Sequence, residues 1–143
     1  HAPEFQDRYE GLCRAMRAAG LEPDPALQQG AVSSEDSGHA AARSLIESGR
    51  PFDAIFAASD LIAIGAMRAL TEAGLKLPRD VAIIGFDDIP AASLTSPTLT
   101  TVMQDMKGAG TLLVDALLAR IEDRPVERRM LPARLIRRQS TAV

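Results

Sequence analysis

Along the first twenty positions, apolar residues recur with the spacing of one helical face. Phe5, Tyr9, Leu12, Cys13 and Met16 fall on one side and Gln6, Asp7, Glu10, Arg14 and Arg17 on the other, which predicts a helix over 4–19 stopped by Gly20. The prolines of LEPDPALQQGAV break this pattern and lead into a predicted brief strand over 26–32. The cap-forming residues of SSEDSG then precede Ala42, Leu45 and Ile46 on a shared side, with Gly49 beyond, so a second helix is expected over 36–48. FDAIFAAS is apolar without alternation, as in a parallel strand covered on both faces. Asp60 reads as the cap of a helix over 61–73 closed by Gly74, after which Pro78 and Asp80 lead into the strand VAIIGF. Strand, helix and strand together fill about 35 residues, the size of a right-handed βαβ unit. LTTVMQ predicts a further strand, MKGAGTLLVDALLARIED a helix with Leu113, Leu117 and Ile121 four apart, and RRMLPARLIRR a last strand. The expected class is α/β, a three-layer sandwich around a parallel sheet.

Composition narrows this picture. The 143 residues, 46% of them hydrophobic, are enough for one soluble globular domain with a core of its own. A net charge of −3 argues against a surface built for polyanions. The arginines at 128, 129, 134, 137 and 138 are therefore expected on the solvated side of the last strand and tail. Cys13 is the only cysteine and has no partner for an internal disulfide, which points to a reducing, cytoplasmic setting. No apolar run of about 18 residues predicts a membrane span, and no signal-like start is visible. The opening HAPEF leaves room for an upstream leader or domain.

In open α/β sheets, ligands bind beyond the carboxyl ends of the strands. Two strands end there in polar residues, Ser59 and Asp60 after FDAIFAA and Asp87 and Asp88 after VAIIGF. As a cap, Asp60 would have its carboxylate occupied by backbone N–H groups. Asp88 can cap one short turn at IPAAS, which leaves Asp87 as the ligand-facing carboxylate. Arg8 lies on the flank of the first helix's apolar stripe, where a guanidinium is costly unless it is paired or borders a wet cleft. Snorkelling to solvent and a structural ion pair are its common fates. Placed near the start of its helix, it could also reach the cleft of Asp87 and form a fork for the hydroxyl or anionic groups of a polar small molecule.

Other chemistry is thin. His1 and His39 are the only histidines, so a histidine-based metal site is not expected. The sequence has no G-x-S-x-G, G-x-G-x-x-G or P-loop pattern, and no cofactor is expected.

Read as one stretch, FDAIFAASDLIAIGAMRALTEAGLKLPRDVAIIGFDDIPAASLTSPTLTTVMQD resembles the effector-binding domain of the lactose-repressor (LacI) family of bacterial transcription regulators. The likeness runs from about Arg8 to Thr141 and is most specific in SDLIAIGAMRAL, GLKLPRDVAIIGFDDIP, LTTVMQ and LPARLIRRQST. It implies one lobe of a class I periplasmic-binding-protein-like fold, with the family's helix-turn-helix head absent from this chain. Arg8 and Asp87 fall where that family has effector-contacting residues, and Ser59 where it often has a pocket asparagine. Near Val32 or Ser33 the family frequently has an aromatic platform, and this chain has none, so the effector contacts the resemblance implies are Arg8, Asp87, Ser59 and Ser33.

The resemblance further implies a carboxy-terminal lobe over 1–97 and 128–143, with 98–127 returning to pack on an amino-terminal lobe. The helix near 107–122 is then expected to dock on a neighbouring chain or to be displaced. A homodimer contact is expected through Leu61, Ile64 and Arg68, since the family uses that helix between subunits. The implied function is sensing of a sugar or purine-like metabolite between two lobes, with DNA bound only through the head. Two alternatives stand beside it, an exported sugar-binding protein of an ABC transporter and a small α/β enzyme using Asp87 and Asp88 as acid and base. Neighbours on an extended strand point to opposite faces, which weakens the enzyme reading.

Overall fold

The computed structural model describes residues 3–127 and 129–141, so His1 and Arg128 lie outside the described residues. Helix α1 (Pro3–Ala18) turns Phe5, Tyr9, Leu12, Cys13 and Met16 inward and exposes the polar face, as the periodicity predicts. The strand expected over 26–32 does not form. Asp24 caps a single 3-10 turn at Pro25–Leu27, because proline presets the backbone for that turn, and residues 28–32 join no sheet. Helix α2 (Glu35–Glu47) follows, capped by Ser34.

Strand β1 (Ala54–Phe56) leads through helix α3 (Asp60–Glu72) to strand β2 (Ala82–Asp87), and strand β3 (Thr100–Gln104) lies beside β2. Helix α4 (Met106–Ile121) and strand β4 (Ala133–Ile136) complete the chain. The sheet order is β1-β2-β3-β4; the first three strands are parallel and β4 runs antiparallel to β3. The expected parallel sheet is thus mixed at one edge.

Burial along β2 alternates, with Ile83 and Gly85 buried and Ala82, Ile84 and Phe86 half-buried. The buried face meets α3, whose Ile62, Ala63, Ala66, Met67 and Ala69 form the core with Ile83, Leu99 and Ala92. Behind α3, helix α2 crosses at backbone contact: a Cβ at Gly38 would overlap the Ile62 carbonyl, and one at Gly65 the Glu35 carbonyl. On the opposite face, Arg8 of α1 lies over the ring of Phe86.

Three further points correct the sequence reading. Ser59, not Asp60, caps α3, its hydroxyl accepting the Ile62 N–H, while the Asp60 carboxylate turns away into the core. Segment 98–127, assigned as a whole to another lobe, divides: β3 is integral to this sheet, with Thr100 and Thr101 buried, because it pairs in register with β2. Arg138 is not solvated like Arg129, Arg134 and Arg137; it reaches back to Asp88 at 2.7 Å and to the Leu99 carbonyl at 2.8 Å.

Near the end of the chain, the buried Ser140 hydroxyl donates to the Ile83 carbonyl at 2.7 Å and accepts the Thr100 N–H at 2.8 Å, joining β2 to β3. Helix α4 stands apart from this packing. Leu113, Leu117 and Ile121 are 71%, 60% and 71% exposed, and Val114 and Leu118 are exposed as well.

Candidate functional site

At the carboxyl edge of the sheet, the ends of β1, β2 and β3 present Ala58 and Ser59, Asp87, and Gln104 side by side, and the first turns of α1 cover them. Parallel strands put their free ends on one edge, so this clustering follows from the topology. Arg8 is fixed on three sides. Its guanidinium centre stacks 3.8 Å from the Phe86 ring centroid and 5.4 Å from that of Phe5, and one nitrogen donates to the Ala58 carbonyl. Such a contact with an aromatic face holds a cation in partly dry surroundings.

The other terminal nitrogen lies 3.7 Å from Asp87 Oδ1, an ion pair too long to be a hydrogen bond. Gln104 Nε2 donates to the same Oδ1 at 3.1 Å. Both contacts fall on Oδ1, and Oδ2 has no partner among the described residues. Burial pushes the Asp87 carboxyl above its ordinary value, against the lowering by Arg8 and by the Gln104 bond.

Asp87 and Asp88 carry φ of 115° and 56°, a region that residues with side chains rarely adopt. The strand therefore ends on two residues of left-handed backbone rather than the extended dipeptide expected. The two carboxylates still diverge, Asp87 toward Arg8 and Gln104, and Asp88 toward Arg138. Asp88 does not cap the short 3-10 turn at Pro90–Ser93, whose N-cap Ile89 supplies no side-chain bond.

Ser59 is 2% exposed and shares a 2.9 Å hydrogen bond with Ser33, itself exposed, so a capping residue is joined to the loop before α2. On α3, Leu61 is half-buried, Ile64 packs against the chain's own core, and Arg68 pairs with Asp36 and Glu72 at 3.5 and 3.8 Å. Part of the expected dimer surface is thus occupied within the chain.

Sequence reasoning missed Gln104 and the Phe5 and Phe86 clamp. The signal for Gln104 was available, since LTTVMQ ends at the same sheet edge as Asp87. Three or more metal-ligating side chains do not converge anywhere among the described residues, and no helix there is long and apolar enough to cross a membrane.

Comparison with known proteins is consistent across sequence and structure. The model of the periplasmic binding protein-like domain matches residues 1–141. The HTH-type transcriptional regulator CelR of Thermobifida fusca is 37% identical over 130 residues, covering 91% of this chain and 37% of that protein. A solved CelR–cellobiose complex superposes with a TM-score of 0.89 at 38% identity, over 93% of this chain and 41% of that one. A lac repressor dimer bound to operator and the anti-inducer ONPF gives a TM-score of 0.89 at 31% identity, over 95% and 41%. The chain spans little more than a third of the length of curated relatives such as CelR.

Proposed function

Because the chain belongs to the periplasmic binding protein-like family, in the form carried by LacI-type regulators, we propose that it is the effector-reading lobe of a transcription regulator. It grips a neutral sugar against a second lobe, and closure of the two lobes alters the operator affinity of a helix-turn-helix head. One observation carries the choice of ligand: the cluster balances one cation, Arg8, against one carboxylate, Asp87, and adds the amide of Gln104. A sugar hydroxyl both donates and accepts, and so matches such mixed, charge-compensated partners. Near Val32 and Ser33, both exposed, no ring is offered on which either a sugar or a purine could stack from that side.

Effector and operator are then linked by a coupling free energy of about 1–3 kcal/mol, set by how much better the ligand fits one arrangement of the lobes. The regulator acts in the cytoplasm as a homodimer, with Leu61 and Arg68 of α3 at the subunit contact and Ile64 behind them. Divergence of Asp87 and Asp88 onto different cations argues against paired acid and base catalysis. The matched relatives named above are regulators, which supports this reading over an exported carrier.

The test is thermal stabilisation of the full-length protein by a panel of mono- and disaccharides, cellobiose among them, with adenine as the purine arm. A sugar at about 100 times its Kd is expected to add ~2.7 kcal/mol. Arg8→Ala and Asp87→Ala should each remove that gain. Stabilisation by adenine alone, or a sugar effect that survives both variants, would overturn the proposal.

A further inference from the structure

The turn after β2 is held in an unfavourable form, and the bonds that hold it converge on one buried carboxylate. Positive φ at both Asp87 and Asp88 is a strain that persists only where the surroundings enforce it. Asp60 Oδ2 accepts the Ile89 N–H at 2.9 Å, and Oδ1 accepts the Thr101 hydroxyl at 2.6 Å. The same threonine oxygen accepts the Asp88 N–H at 3.3 Å. Two successive amides of the turn are thereby tied to a carboxylate and hydroxyl that are fully buried.

Neither group is explained by its own element. Ser59 already caps α3, so Asp60 is not needed there, and Thr101 sits in mid-strand opposite Gly85. Gly85 is itself part of the arrangement, because a Cβ at that position would overlap Asp60 Oδ1. A carboxylate in such surroundings is costly, and burial pushes the Asp60 pKa up despite the bonds from Thr101 and Ile89. An apolar residue at position 60 would serve the core alone.

We propose that Asp60 and Thr101 are positioning residues for Asp87: through the Asp88 and Ile89 amides they hold the turn in the form that aims the Asp87 carboxylate at Arg8 and Gln104. The reading of Arg8 and Asp87 as effector contacts gives this clamp its purpose. The test uses no effector, so either idea can fail without the other.

Thr101→Val keeps the volume and removes the hydroxyl, whereas Thr101→Ser keeps the hydroxyl and removes a methyl group. A packing role makes valine the tolerated change; the clamp makes serine the tolerated one. In NMR titrations of this chain, Thr101→Val is expected to move the Asp87 carboxyl down toward the ordinary carboxylate range, as it leaves its half-buried position. Amide exchange at Ile89 should quicken at least tenfold in the same variant. Thr101→Ser should leave both readings as they are.

Asp60→Asn, with one acceptor oxygen for two donors, also removes a charge that acts on Asp87 directly. Its reading is therefore the Gln104 side-chain amide signal, which should move as the bond to Asp87 is lost and which carries the measurement if Thr101→Val does not fold. An Asp87 titration unmoved in Thr101→Val, a Gln104 side-chain signal unmoved in Asp60→Asn, or a larger disturbance by serine than by valine, would overturn the proposal.

Discussion

Helices α3 and α4 are built from much the same residues and meet opposite fates. DLIAIGAMRALTE buries eight of its thirteen positions, while MKGAGTLLVDALLARI buries only Ala119. Both begin with an oxygen-bearing cap, Ser59 for α3 and Asp105 for α4, the latter accepting the Gly108 N–H at 2.9 Å. Local signals therefore specify both helices equally well. What differs is the partner: α3 lies between α2 and the sheet, whereas the leucines of α4 meet no such layer in this chain. Exposed apolar patches are where proteins associate, and the α4 leucines line up as one. Composition makes a helix, and topology decides what it is for.

The largest effect expected from this contrast is at Leu70, fully buried on α3. Leu70→Ala should cost ~2–5 kcal/mol in urea unfolding, through lost transfer energy and the cavity left behind. Next comes Gly65→Ala, whose Cβ would meet the Glu35 carbonyl of α2; separating two backbones should cost about 1–3 kcal/mol by the same measurement. A cost near zero would show that the α2–α3 crossing gives way easily.

The start of α3 also makes stability depend on pH. Burial raises the pKa of Asp60, and that of Asp87 is raised for the same leading cause. Between the ordinary carboxylate value, about 3.9, and those raised values, the folded chain binds more protons than the unfolded one, so this part of the stability grows as pH falls. Glu72, lowered by its bond from His39, and Asp80, lowered by Arg79, act oppositely. Their contribution is present above the ordinary value and is lost as pH falls through their lowered ones. Unfolding free energies between pH 7 and 3 should thus pass through a maximum near the ordinary carboxylate range. Asp60→Asn should flatten its higher-pH side.

The smallest effect belongs to α4. Leu117→Ala, at a side chain 60% exposed, should change the stability of this chain by no more than ~0.5 kcal/mol. In the full-length protein the same change should cost several times more on the proposed reading, in which a second lobe covers α4. Equal small costs in both would make α4 a solvent-facing helix and erase the contrast.

Most of the fold could be read from the residues, because its elements announce themselves locally. The stripe from Phe5 to Met16, the apolar run before Ser59 and the helix closed by Gly74 each correspond to an observed element. The misread strand at 26–32 shows how a proline-bounded apolar scrap imitates a strand when no pairing partner can be seen in the sequence. In the site, Arg8 and Asp87 could be paired by asking where an inward guanidinium finds an anion. Asp60 could not be assigned in this way, since an aspartate before a helix has the same local signature whether it caps the helix or reaches across the sheet to Thr101. Arg138 was hidden for a similar reason, being 50 residues from Asp88.

Ser140 is a brace that becomes available only late in synthesis. Its one hydroxyl joins a carbonyl 57 residues earlier to an amide 40 residues earlier. The backbones of β2 and β3 pair without it, but the side-chain bridge that braces them at Ile83 and Thr100 cannot close until residue 140 has emerged. A pairing made by neighbouring strands thus receives its final brace from a residue far along the chain.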